Sequence, residues 1–191
     1  MTKAQDTDGE TVWDKFGGTI ADTLSVLLVS DLGPTWPDPI PYDYVAHNVP
    51  IHTDGTLSLT GISGSKSGDY YIILRHRQCV ETWSAAPVSF SGSLINYDFT
   101  TSASQAFGSN QKELTDGAFG LWGGDITSMT GFQDGYVDIF DNNDVFNNAQ
   151  IGSFGYISQD LTGVGAGPDG FVDIFDMTIV FNNMQLAIGM N

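Results

Sequence analysis

The chain has 191 residues and a mass of 20.5 kDa, room for one sizeable domain or two small ones. With 23 Asp and Glu against 6 Lys and Arg, its formal charge is -17, which makes nucleic acid and anionic membrane surfaces poor partners, because every phosphate would meet a field of the wrong sign. A hydrophobic fraction of 41% with 12% aromatics is enough to build a core, so the acidity does not mean disorder.

The 23 glycines and the scarcity of good helix formers argue for many short strands. The single cysteine, Cys79, has no internal disulfide partner and reads as a small apolar strand residue. No apolar run is long enough to span a bilayer. Residues 1–10 are polar and acidic and lack the pattern of a signal peptide, so the chain is expected to be cytosolic or the mature part of a longer exported protein.

Residues 1–18 carry little strand signal, and a strand missing upstream is expected. Leu24, Val26 and Leu28 then alternate, as do Leu57 and Leu59. Tyr70, Ile72, Leu74 and His76 share one face and Tyr71, Ile73, Arg75 and Arg77 the other, while Ile95, Tyr97 and Phe99 alternate with Asn96 and Asp98. Turn signals separate these strands: residues 31–41 with four prolines, Asp54-Gly55, residues 61–68, and Ser91-Gly92. The pattern predicts a small antiparallel β-sandwich.

All six basic residues precede Leu121, whereas the nine carboxylates that follow are all aspartate. We place a boundary at the flexible pair Gly123-Gly124, giving domains 1–122 and 123–191. The second domain repeats at a shift of 35 residues: of the 24 positions from Asp125 to Asn148, 13 are identical in the copy. Asp134-Gly135-Tyr136-Val137-Asp138-Ile139-Phe140-Asp141 falls on Asp169-Gly170-Phe171-Val172-Asp173-Ile174-Phe175-Asp176.

This spacing is that of the second half of an EF-hand calcium loop. Calcium takes six to eight oxygens at about 2.3–2.6 Å, and a sharp turn at glycine points them inward. The predicted donors are Asp125, Thr127, Asp134, the Tyr136 carbonyl, Asp138 and Asp141 in one copy, and Asp160, Thr162, Asp169, the Phe171 carbonyl, Asp173 and Asp176 in the other. Two Ca²⁺ sites are thus expected.

In the usual loop the first ligand lies four residues before the third; here Asp125 lies nine before Asp134, and Asp160 nine before Asp169, an insertion of five in each. Thr127 and Thr162 replace stronger ligands, and the last carboxylate is the shorter Asp, which puts affinity anywhere from about micromolar to millimolar. Val137 and Val172 are expected to pair the two loops through a short β-bridge. Asp141 and Asp176 are expected to begin short helices, with Val145, Phe146, Val180 and Phe181 inward and the pairs Asn147-Asn148 and Asn182-Asn183 as helix ends. The competing reading is a solvated acidic surface. Against it, like charges 4 Å apart repel by about 1 kcal/mol in water and about 4 at an effective dielectric near 20.

The tail resembles the duplicated calcium loops of dockerin modules. The run from His76 to Ala85 (His-Arg-Gln-Cys-Val-Glu-Thr-Trp-Ser-Ala), with Ile95-Asn96-Tyr97-Asp98-Phe99-Thr100-Thr101, is similar to the β-domain preceding dockerin-like repeats at the C-terminus of secreted Bacteroidetes-type surface proteins. The resemblance runs from about Asp22 onward. It implies a mostly β fold, an antiparallel β-sandwich followed by a small dockerin-like module with two EF-hand-type loops and short helices, in the extracellular, non-catalytic region of a larger protein. The residues after the loops, Asn142-Asn143-Asp144 and Met177-Thr178-Ile179, differ between copies, and no Ser-Thr or Lys-Arg recognition pair follows either loop.

The histidines His47, His52 and His76 show no zinc spacing. No G-x-S-x-G elbow exists, and Cys79 beside His76 has no orienting partner visible in the sequence, so no enzyme is expected. Trp13, Trp36, Trp83 and Trp122 are candidates for a sugar-stacking platform, with burial the expected fate of Trp83 and Trp122. The expected function is a calcium-stabilised module acting in structure or protein attachment. Its alternatives are a self-assembling fibre or tube subunit, joined to copies of itself or to another protein through an open sheet edge, and a carbohydrate-binding module.

Overall fold

The computed structural model describes residues 1–30, 41–63, 66–90, 95–163 and 167–190. The proline-rich turn with Trp36, the Ser91-Gly92 turn and part of the 61–68 turn lie outside them. The described residues are mostly β, with antiparallel pairing throughout and two α-helices. None of their helices is long and apolar enough to cross a membrane.

The main sheet has the order β4 (Tyr44–His52), β3 (Ile20–Val29), β5 (Gly68–His76), β6 (Cys79–Trp83), and β7 (Val88–Phe90) also pairs with β5. Period-two alternation puts Leu24, Val26, Leu28, Tyr70, Ile72 and Leu74 in one core and Leu27, Val29, Ile73 and Trp83 in another on the opposite face. A strand buried on both faces is central, as β3 is between β4 and β5.

The first core is covered by Leu57, Leu59, Ile62, Ile95, Tyr97 and Phe99. Here the structure corrects the sequence: residues 57–62 and 95–99 form no strands beyond an isolated Leu57 to Ile51 bridge. Alternating apolar side chains need only present one face to the sheet. The Tyr97 hydroxyl, hydrogen-bonded to the Gln105 carbonyl at 2.6 Å, fixes that segment without a ladder.

A second correction concerns the start. β1 (Gln5–Thr7) and β2 (Val12–Asp14) form a hairpin whose turn has Gly9 at φ 94 and Asp8 accepting from the Glu10 and Thr11 N–H groups. β1 is polar, and β2, with Val12 and Trp13 exposed, has only three residues, too few to register as a hydrophobic pattern. Residues 112–113 and 119–120 (β8 and β9) form another small ribbon.

The C-terminal repeats build their own core from Val137, Val145, Val172 and Val180 with Ile126, and Val80 of β6 enters it. Cys79 bridges to Gly123 and the Val80 N–H donates to the Trp122 carbonyl at 2.8 Å, so the repeats rest on the β5–β6 turn.

Candidate metal centre

Each repeat folds as a loop leading into a helix, α1 (Ile139–Ile151) or α2 (Ile174–Gln185). Asp138 and Asp173 are the N-caps, accepting from the Phe140 and Phe175 N–H groups, each at 2.7 Å. Asp141 and Asp176 sit at N3 and accept from the N-cap N–H at 2.8 Å, closing a capping box. The helices therefore begin two residues earlier than expected. Each end also differs: α1 runs through Asn147-Asn148 to a left-handed Gly152, and α2 runs through Asn182-Asn183.

Asp141 also accepts from the Ile126 and Thr127 N–H groups at 2.8 and 2.9 Å, and Asp176 from those of Leu161 and Thr162 at 2.6 and 2.8 Å. The first aspartates do the converse. Asp125 accepts from Asp134 and Gly135 at 3.3 and 3.0 Å, and Asp160 from Asp169 and Gly170 at 3.1 and 2.8 Å. The five-residue insertions thus leave the two ends of each loop tied, first aspartate to glycine turn and last aspartate to loop start. Gly135 and Gly170 hold φ near 86 and 90.

Four carboxylates, Asp125, Asp141, Asp160 and Asp176, are at most 1% exposed. Burial is the main cause that raises each pKa. With the nearby Asp141 charge added, Asp125 reaches about 8; Asp160 reaches about 7 and Asp176 about 6, against opposing backbone hydrogen bonds, and Asp141 is raised as well. Asp134 is exposed and Asp169 half-buried, each accepting from the N–H two residues on, that of Tyr136 or Phe171, at 3.1 Å.

A carboxylate offers about four lone-pair sites. Asp125 and Asp160 each use two on backbone N–H groups and Asp141 and Asp176 three, so oxygen valences remain for a hard cation. The donor chemistry fits calcium. Among the described residues, however, no three His, Cys, Asp or Glu side chains stand in the arrangement of a metal site, and residues 164–166 of the second loop lie outside them.

The expected bridge between the loops is absent. Loop one pairs instead with the segment after α2, through the Val137 N–H to Ile188 carbonyl bond at 2.9 Å and the Tyr136 to Gly189 bridge. Loop two pairs with the segment after α1, through the Val172 N–H to Ser153 carbonyl bond at 3.0 Å and the Phe171 to Phe154 bridge. Val145 and Val180 are fully buried, but Phe146 and Phe181 are 42% and 50% exposed, because one helical position turns them 100° away from the core.

Sequence reasoning missed two glutamines. The Gln133 amide donates to the carbonyls of His76, Cys79 and Asp125 at 2.9, 3.1 and 2.6 Å, and Gln78 donates to the Asp160 carbonyl, so the β5–β6 turn holds the first residue of both loops. It also missed Asp22, which binds Arg77 Nη1 at 2.6 Å, His76 Nε2 at 3.2 Å and the Tyr156 hydroxyl at 2.5 Å. His76 therefore does have an orienting carboxylate. No sequence signal joins residues this far apart. Trp83 is buried and Trp122 packs beside the repeat core under the Lys112 ammonium, so they share no open platform.

No family model and no curated protein matches the sequence. Among solved structures, the chain is similar to an N-terminal interface mutant of a type II cohesin–X–dockerin complex from Acetivibrio cellulolyticus, at 16% identity over 85% of this chain and 80% of that one, with a TM-score of 0.46. A C-terminal interface mutant of the same complex matches at 15% identity over the same shares, with a TM-score of 0.45. Likeness at this level assigns this chain neither a family nor a partner.

Proposed function

We propose that the chain is a non-catalytic calcium-binding module of an extracellular protein, whose dockerin-like C-terminal repeats fold around two Ca²⁺ ions and act in structure or protein attachment. One observation carries the reading: two sequence copies each bury the same pair of carboxylates, Asp125 with Asp141 and Asp160 with Asp176, in a segment without a single Lys or Arg. Buried charge without a counter-charge is costly. A divalent cation at each pair offsets it, with Asp134, Asp138 and the Tyr136 carbonyl, or Asp169, Asp173 and the Phe171 carbonyl, as further donors and the loop threonines beside them.

A site of about 1 µM affinity in about 1 mM calcium adds roughly 4 kcal/mol by linkage, a large part of a small domain's stability. The test is a thermal melt: Tm falls by many degrees in EDTA and returns with Ca²⁺ but not with equal Mg²⁺. An unchanged melt contradicts the reading.

A second reading, assembly through an open edge, draws support from β4, which lies at the end of the sheet order. Light scattering with and without calcium separates it from the first, since a monodisperse monomer at high calcium excludes self-assembly.

A further inference from the structure

Cys79 opens β6 directly across from His76, the last residue of β5. Its Sγ lies 3.4 Å from His76 Nδ1, and His76 Nε2 lies 3.2 Å from Asp22 Oδ2, a carboxylate supplied by β3. A nucleophilic atom within hydrogen-bond reach of a base, itself held from behind by a carboxylate, is the arrangement that activates side chains of this kind. Three strands of the central sheet fix it, and the cysteine remains partly exposed. The calcium reading uses none of these side chains.

We propose that Cys79 is an imidazole-activated thiol and a covalent attachment site for a disulfide-bearing ligand, joined by thiol–disulfide exchange. Cys79 and His76 share one proton as a preformed thiolate–imidazolium pair, with the proton on His76 Nδ1, and the Cys79 thiolate attacks one sulfur of R–S–S–R′. That S–S bond breaks as the Cys79–S–S–R bond forms, and R′–S⁻ leaves with the proton returned by His76. One thiol and one disulfide give one mixed disulfide and one thiol, with no outside oxidant.

The Asp22 carboxylate favours an imidazolium at His76, and the Arg77 guanidinium beside Nε2 opposes it. His76 faces Cys79 on one side and Asp22 on the other; Arg77 Nη1 lies 3.2 Å from His76 Nε2, and Tyr156 closes the far side of Asp22. Burial alone lowers the His76 pKa, but the Cys79 sulfur and the Asp22 carboxylate outweigh it and raise the value to about 9. An imidazolium 3.4 Å from the sulfur stabilises the thiolate that attacks. The bland alternative, an inert apolar strand residue, requires neither the imidazole nor the carboxylate behind it.

The test uses the full chain and the neutral reagent 4,4′-dithiodipyridine, following release of the thiopyridone. At about pH 5, where an ordinary thiol of pKa about 8.5 is almost wholly protonated, folded protein reacts about tenfold or more faster than the same chain unfolded in urea. His76→Gln brings the folded rate down to the unfolded one, and Asp22→Asn lowers it part of the way. A folded thiol that reacts no faster than the unfolded one, or a folded His76→Gln protein as fast as the parent, overturns the proposal. If His76→Gln does not fold, the folded-to-unfolded ratio of the parent decides alone.

Discussion

The Val137 N–H donates to the Ile188 carbonyl at 2.9 Å, and the repeat shift of 35 residues carries this pair onto Val172 and Ser153, joined at 3.0 Å. The same shift carries the Met190 N–H to Gly135 carbonyl bond onto the Gly155 N–H to Gly170 carbonyl bond, both 2.7 Å. The strap after each helix therefore clasps the other repeat's loop, and the two halves are related by an internal twofold exchange. Under the calcium reading, the two proposed sites are expected to be coupled through covalent order, because each loop is closed by a segment that its partner's helix positions.

Deleting residues 188–191 removes the clasp on loop one and leaves that on loop two. The expected outcome is loss of one bound calcium per chain with the second retained at weaker affinity, read by calorimetric titration. Two unchanged sites after the deletion rule out the reciprocal clasp as the closing element.

In the metal-free protein, stability depends on pH through the buried carboxylates. Their folded pKa values, about 8 for Asp125, about 7 for Asp160 and about 6 for Asp176, stand above the ordinary aspartate value of 3.8. The native state then holds more protons, so stability is fully present below the unfolded pKa and is lost as pH rises through the folded values. Melts in chelator should show Tm falling from pH about 4 to about 8. Asp125→Asn with Asp160→Asn flattens that slope, whereas saturating calcium removes it in the parent chain. His76 adds a loss of the same sign between about 6.5 and 9, since its folded pKa is also raised; the double variant leaves that part in place.

Asp22 ties the sheet to the repeats. Its side chain is 9% exposed against 18% for Arg77, and the partner contacts hold its carboxyl well below the usual carboxylate range despite the opposing effect of burial. Asp22→Asn leaves Arg77 and His76 without their counter-charge and should cost about 3–5 kcal/mol in urea unfolding. The Asp22 contribution is present above the unfolded pKa of 3.8 and disappears as pH falls through the lower folded value. A loss below about 1 kcal/mol means that the network is exposed to water and nearly neutral in effect.

Adjacent helix positions separate core from surface. Val145→Ala and Val180→Ala, at fully buried sites, should each cost about 2–3 kcal/mol. Phe146→Ser and Phe181→Ser, at half-exposed sites, should cost less than about 1. Similar losses at all four positions place the aromatic rings in the core after all.

The repeat, the glycine turns and the central strands were legible because each is a local pattern: a fixed shift, an obligatory φ, a period of two. Loop closure by Asp141 and Asp176 was partly legible, since the spacing named the residues but not their backbone donors. The short hairpin of residues 5–14, the Gln133 tether and the meeting of Asp22 with Tyr156 were not. The hairpin is local, but its three-residue strands are too short for a period to register; the other two join segments 57 and 134 residues apart, which no periodicity brings together. The loop pairing was misassigned for a related reason: Val137 and Val172 have matching patterns, but the straps at 153–154 and 188–189, unremarkable in sequence, hold the available backbone groups.

Isothermal titration of the chelator-treated full chain with CaCl₂ tests the calcium reading most directly. The account requires two ions per chain, and one or none for the variant combining Asp125→Asn with Asp141→Asn. No heat and no stoichiometry at millimolar calcium, with the chain folded, contradicts it.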